Sequence, residues 1–159
     1  MGDAHDFDFE LGTWSTQLRL LAAPLTGSDE WVECSGTSVV RPLWAGQANL
    51  VELTADGPIG RIEALSLRLF NPASEAWSLH VATVRSGGMS PPLVGGFSDG
   101  RGEFFGHEEM DGRDVLVRFR ILPHDADTIH FEQAFSADHG ATWETNWFAT
   151  DTRLASDDR

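Results

Sequence analysis

A chain of 159 residues, 41% hydrophobic and 23% charged, is long enough for one filled core and ordinary in composition. Its 25 acidic residues outnumber 11 basic ones, and a net charge of −14 repels phosphate backbones and anionic lipid, which excludes nucleic acid and membrane surfaces as expected partners. Every basic residue is arginine, which excludes lysine Schiff-base chemistry and a P-loop; the lone Cys34 leaves no intrachain disulfide and no cysteine-based zinc site.

The first residues, MGDAHDFDFELGTW, lack the cationic, apolar and small-residue succession of a signal peptide. Asp6 stands where a myristoylation signal needs Ser or Thr, and no apolar run reaches the length of a membrane span, so the expected compartment is the cytoplasm. A short helical segment is expected over Asp6–Leu11, with Phe7, Phe9 and Leu11 placed to plug one end of a barrel. Beyond it the chain alternates β-rich runs with turn signals. Strands are expected at Thr13–Ala22, Glu30–Arg41, Gln47–Thr54, Arg61–Phe70, Ala76–Val84, Leu93–Phe97, Gly102–Met110, Asp114–Leu122, Thr128–Phe135 and Ala141–Thr150. The final ASDDR is expected to fray. About ten antiparallel strands joined by tight turns form an up-and-down meander, and such a sheet hides its edges most simply by closing on itself. The expectation is an all-β, single antiparallel β-barrel.

Several motifs look catalytic and read better as structure. Gly96–Gly100, GFSDG, fits the G-x-S-x-G elbow, but that elbow needs a helix after its turn. Here another strand follows, so Asp99-Gly100 is a hairpin tip and Ser98 is no nucleophile. HEEMD, from His107, lacks the second histidine of a zincin helix, and the six histidines show no ligand spacing. Cys34 reads as a buried thiol on a strand. SADHGATW, Ser136–Trp143, fits the Asp-box pattern found in sialidase propellers, yet one copy in a short chain makes a turn rather than a glycosidase. Asp138 can accept backbone N–H groups, Gly140 can take positive φ, and Trp143 can pack under the loop.

The hairpins sort side chains into two faces. With Asp111-Gly112 as a two-residue loop, Met110 pairs with Arg113, Phe105 with Arg118 and Glu103 with Arg120. Glu103, Phe105, His107, Leu116, Arg118 and Arg120 then share one face; Phe104, Val115, Val117, Phe119 and Ile121 share the other. In the last hairpin, a register setting Phe135 against Trp143 and Phe131 against Trp147 also sets Glu132 against Asn146 and Ala134 against Glu144. Either the aromatic and aliphatic faces point inward and the arginine–carboxylate ladder lies in water, or the polar faces line a cavity. In the second case the candidate ligand-binding residues are Arg118, Glu132, Asn146, His107, Phe105 and Glu144. Arg118 would offer a fork to an oxyanion, with Glu132 as counter-charge, and His107 would titrate near neutrality. Trp44, after a proline at a strand corner, could overhang the barrel mouth, whereas Trp77 heads an alternating core run.

Gly12 and Trp14 in LGTW, with Arg153 after the last expected strand, resemble the G-x-W and stacking arginine of the lipocalin-like (calycin) superfamily. The segments FDFELGTW, FSDGRGEFFG, DGRDVLVRF and EQAFSADHGATWETNW resemble a family of small, largely uncharacterised bacterial proteins with calycin-like barrels, over nearly the whole chain. The resemblance implies one lipocalin- or fatty-acid-binding-protein-like domain spanning residues 1–159, with Gly12, Trp14 and Arg153 in structural roles beside Asp138, Gly140 and Trp143. It also favours the polar cavity, because RF, EQAFS and ETNW resemble motifs that recur in that family. The expected function is binding of a small, partly apolar molecule, an acidic one included. Haem is one variant without an identifiable axial histidine, and no other metal is expected. A small acid–base enzyme using Glu132 or His107 with Arg118 is the first alternative, and a homodimerising interaction protein the second.

Overall fold

The computed structural model describes residues 2–155; most of the terminal ASDDR segment lies outside them. All ten expected strands are present, each within three residues of its expected bounds: β1 Gly12–Leu21, β2 Trp31–Leu43, β3 Ala48–Gly57, β4 Gly60–Asn71, β5 Ala76–Thr83, β6 Leu93–Ser98, β7 Arg101–Met110, β8 Arg113–Asp125, β9 Thr128–Ser136 and β10 Glu144–Arg153. Each strand pairs antiparallel with its neighbours in sequence, and β1 pairs with β10, so the meander closes into a lipocalin-like barrel with no free edge. Among the described residues no helix is long and apolar enough to cross a membrane.

The expected helix over Asp6–Leu11 shrinks to a single 3-10 turn, Asp8–Glu10. Phe7, Phe9 and Leu11 recur at period two, which cannot form one face of an α-helix, and Gly12 turns the chain into β1 at φ 126°. The plugging role of the segment does hold. Phe7 is buried, with its ring edge-on to Trp77 at 4.7 Å and to Phe97 at 5.0 Å. These aromatics seal the end of the barrel where β1 begins.

Turn chemistry sets most of the register. Asp99-Gly100 and Asp111-Gly112 both have positive φ at both positions (53° and 74°, 51° and 78°), the requirement of a two-residue hairpin that follows the sheet twist. The β7–β8 pairing is accordingly as expected, with Met110 opposite Arg113 and Phe105 opposite Arg118. The last hairpin differs. Phe135 faces Glu144 rather than Trp143, and beyond a bulge between Thr145 and Trp147, Phe131 faces Ala149 rather than Trp147. The Asp-box loop is the cause. Asp138 accepts from the Thr142 amide at 2.8 Å and from its hydroxyl, Ser136 Oγ accepts from the Gly140 amide at 2.8 Å, and His139 takes φ 59°. Those bonds wrap the chain out of the ladder before Trp143, so β10 starts late, and the bulge at Asn146 shifts it once more. The hydrogen bonds from Thr142 and Ser136 also hold the exposed Asp138 carboxyl down at about 2.

The closing seam carries the expected tryptophan–arginine contact. The Arg153 guanidinium lies 4.2 Å from the Trp14 ring and donates to the carbonyls of Phe9 and Leu11 at 2.9 Å each, while Trp14 Nε1 donates to the Glu10 carbonyl at 2.8 Å. One side chain of β10 thereby fastens β1 and the plug together. Replacing Arg153 with Ala is expected to lower the unfolding free energy by about 2 kcal/mol in urea titrations followed by tryptophan fluorescence, with Arg153→Lys intermediate because an ammonium cannot reach both carbonyls in a fork.

Candidate functional site

Alternation along the strands fixes what the interior holds. From β1 it receives Trp14, Thr16, Leu18 and Leu20; from β4, Ile62, Ala64, Ser66 and Arg68; from β10, Trp147, Ala149 and Asp151. Between the plug and the far end of the barrel these side chains leave a cavity of about 400 Å³, within the range of small-molecule sites. Its walls are mainly apolar, among them Leu18, Val51, Leu53, Leu79, Phe119, Phe131 and Trp147. Its floor, against the plug, is polar.

The floor holds two carboxylates and one guanidinium. Glu10, the last residue of the plug turn, meets Arg68 of β4 through both oxygens, Oε1 to Nη1 at 3.2 Å and Oε2 to Nη2 at 3.3 Å, and both residues are almost fully buried. Asn49 Oδ1 accepts from Arg68 Nη1 at 3.0 Å and Ser66 Oγ accepts from Nε at 3.0 Å; the guanidinium also sits 4.8 Å from the Phe7 ring. Opposite, Asp151 of β10 pairs with Thr16 of β1, whose hydroxyl donates to Oδ1 at 2.6 Å. With that proton committed, Ser38 donates to Thr16 across 2.7 Å, forming a short chain of hydroxyls that ends on the carboxyl. Asp151 is only 3% exposed, and burial, reinforced by the nearby negative charge of Glu10, pushes its pKa up to about 7 against the pull of Thr16 and Arg68.

The residues expected to bind ligand lie elsewhere. The polar faces turn outward, correcting the expectation of a polar cavity. The aliphatic and aromatic faces gain burial, with Phe104, Val115 and Ile121 inaccessible, whereas carrying the arginine–carboxylate ladder inside would cost several kcal/mol per ion. Arg118 stacks on Trp143 at 4.6 Å, with the half-exposed Phe105 edge-on to the same indole at 6.3 Å. Burial and repulsion from Arg120 hold the Arg118 guanidinium below its ordinary value. Glu132 pairs with Arg120, its cross-strand neighbour, at 3.2 Å rather than with Arg118, and Glu103 meets Arg120 from the other side at 2.9 Å. The exposed His107 faces Asp114 at 3.4 Å. Glu144 Oε1 accepts from the Leu25 amide at 2.7 Å and ties down the β1–β2 loop. Asn146 is buried at the β10 bulge, where its Oδ1 accepts from Gln133 at 3.1 Å and its Nδ2 has no partner among the described residues; Gln133, not Asn146, reaches the cavity. Phe105, Arg118 and Trp143 are therefore brought together on the outer surface, and the other candidates are not.

Trp44 sits in the β2–β3 connection, at the plug end rather than over a mouth, because β2 runs antiparallel to β1 and places Val40 opposite Gly12. Trp77 is core, as expected, and Cys34 is buried, with burial raising its thiol pKa. No histidine, cysteine or methionine lines the cavity among the described residues, so the side chains present do not fit an axially ligated haem.

The sequence alone does not single out Glu10, Arg68, Thr16 or Asp151, although one signal reaches two of them. If Arg153 stacks on Trp14 inside the barrel, period two places Asp151 and Thr16 inside as well.

No family model matches the sequence, and no curated protein matches it. Solved structures do match its fold. The S-type phycobiliprotein lyase CPES from Guillardia theta superposes with a TM-score of 0.67 at 14% identity, covering 99% of this chain and 95% of that one. The barrel EF1p2_mFAP2b bound to DFHBI gives 0.52 at 7% identity, over 95% and 98% of the two chains. A fluorescence-activating β-barrel designed de novo gives 0.51 at 11% identity, over 97% and 100%. At these identities the likeness is one of architecture.

The raised Asp151 pKa makes stability depend on pH. An unfolded aspartate ionises near about 3.9, so between there and about 7 the unfolded chain loses a proton that the folded chain retains. Rising pH therefore favours unfolding across that window, by about 4 kcal/mol in total. Asp151→Asn removes this dependence. In urea titrations across the window, the variant's unfolding free energy minus that of wild type is expected to climb toward that figure; a flat difference would mean that Asp151 titrates normally.

Proposed function

We propose that the barrel binds a small, partly apolar molecule within its interior, with the ligand's polar end on the floor formed by Asp151, Thr16, Ser38 and the Glu10–Arg68 pair. The observation that carries this reading is the cavity itself: about 400 Å³ of mainly apolar wall, closed at one end by the plug and furnished there with hydrogen-bonding groups. Apolar walls supply affinity and a few converging polar groups supply orientation. A well-packed protein has no use for a void this large, since unfilled space forfeits dispersion contacts. Similarity of fold to a phycobiliprotein lyase, to a barrel bound to DFHBI and to a fluorescence-activating barrel supports the same reading. The motif resemblance adds that the chain is a single-domain member of the uncharacterised bacterial calycin-like family. The acid–base enzyme reading loses its basis in Glu132, His107 and Arg118, which do not share a cavity.

The neutral fluorescent probe phenylnaphthylamine separates an interior site from the outer cluster. Ala64, which lines the cavity, is small enough for a large replacement to fill the space in front of it. Ala64→Phe is expected to weaken probe binding at least about tenfold while the fold, checked by circular dichroism, persists. Arg118→Ala, on the outside, is expected to leave the dissociation constant within about twofold. The reverse pattern would place the site on the outer face.

A further inference from the structure

Resting on the reading that the interior binds a small molecule, we infer that the cavity selects ligands carrying a basic nitrogen, taken up as cations with that nitrogen against the Asp151 carboxylate. The reason lies in the charges that line it. Among the described residues only Glu10, Arg68 and Asp151 bring charged side chains to the cavity. Arg68 is already neutralised: its Nε bonds Ser66, Nη1 bonds Glu10 and Asn49, and Nη2 gives one of its two N–H groups to the second Glu10 oxygen. An anionic ligand would compete with a buried carboxylate for the cavity's single cation and would face a second carboxylate in Asp151.

Asp151 is in the opposite condition. Thr16 holds Oδ1, and no hydrogen bond reaches Oδ2 among the described residues, although the side chain lines the cavity and is only 3% exposed. Oδ2 therefore faces the cavity with its acceptor capacity open, and a donor arriving with a ligand can take it up. The groups packed around Asp151 do not supply that donor. Across β1 lies Thr16 with Ser38 behind it, across β9 lies Ile129, and the plug and β4 present Glu10 and Arg68, whose charges oppose each other. With Asp151 ionised, the cavity's three charges sum to one negative, in surroundings of low polarity where an ammonium or protonated heterocycle gains most from a carboxylate. The aromatic rings of Phe119, Phe131 and Trp147, packed at 6.1 and 5.9 Å, extend the preference to flat or aromatic bases.

Three isosteric probes test this by calorimetry: naphthylmethylamine, naphthylmethanol and naphthoate, as cation, neutral and anion. At about pH 8 the amine is expected to bind about tenfold more tightly than the alcohol, with the carboxylate weakest. Lowering the pH to about 5.5 protonates Asp151 and is expected to weaken the amine on the order of tenfold while leaving the alcohol nearly unchanged. Asp151→Asn is expected to abolish the amine's advantage and its pH dependence without losing the alcohol. Equal binding of amine and alcohol, or tightest binding of the carboxylate, would overturn the charge preference and leave interior binding standing. Failure of all three probes, together with phenylnaphthylamine, would remove the binding reading itself.

Discussion

A carboxylate at the end of a three-residue turn can sit inside this barrel only because Arg68 meets both of its oxygens. Taking Glu10 and Arg68 out of water costs several kcal/mol per ion, and their attraction offsets that cost only when the remaining donors are also satisfied. Asn49 and Ser66 take up two more donors on the arginine side, and the Phe7 ring covers the guanidinium face. The pair is also a mechanical joint. Glu10 belongs to the plug and Arg68 to the wall, while the Glu10 carbonyl is hooked by Trp14, itself stacked under Arg153. The closed end, the seam between first and last strands and the polar floor thus depend on one ion pair. Burial is the main reason that Asp151 resists ionisation, and because the Glu10 charge offsets Arg68, no cation of its own compensates for that burial.

The outer cluster has a different task. Arg120 between Glu103 and Glu132 links three adjacent strands in solvent, where such pairs contribute at most about 1 kcal/mol each. Arg118 on Trp143 is more specific. It pins the end of the Asp-box loop to β8, at the barrel end away from the plug, and Glu144, the next residue along, anchors the β1–β2 loop through the Leu25 amide. Arg118 and Glu144, which look like part of a binding constellation in sequence, thus hold loops at the far end. Their chemistry is paired and directional, but its object is the chain itself.

Strands and turns are legible in the sequence because their determinants are local. Asp-Gly at two hairpin tips fixes backbone sign, and the two-residue loop then fixes every pairing along β7 and β8. The β9–β10 register is not legible, because the hydrogen bonds of the Asp-box loop decide where the ladder resumes and a bulge at Asn146 shifts it again. Inward parity is hardest on β4. There Leu67 and Leu69 alternate with Arg68, so a hydrophobicity rule places the leucines inside and the arginine in water, the reverse of what forms. Only the plug's carboxylate, remote in sequence, makes an inward Arg68 possible. Asp151 escapes notice for a plainer reason: the last strand is expected to stop at Thr150, one residue short.

The acid surplus of the whole chain acts in the same direction as the cavity. A net charge of −14 sets up a negative potential that attracts cationic solutes and repels anions, although salt confines its reach to roughly 8 Å at physiological ionic strength. Such a field disfavours placing yet another negative charge in the interior, so it opposes ionisation of Asp151 in the empty barrel. A bound cation reverses that balance locally, since its charge stabilises the carboxylate it touches. Ligand capture and proton release at Asp151 are then two sides of one equilibrium, and linkage requires each to promote the other. A wholly neutral floor would offer the same hydrogen bonds without this coupling. On the proposed binding reading, one buried carboxylate more than the arginine can neutralise would make an apolar pocket sensitive to the charge of its guest.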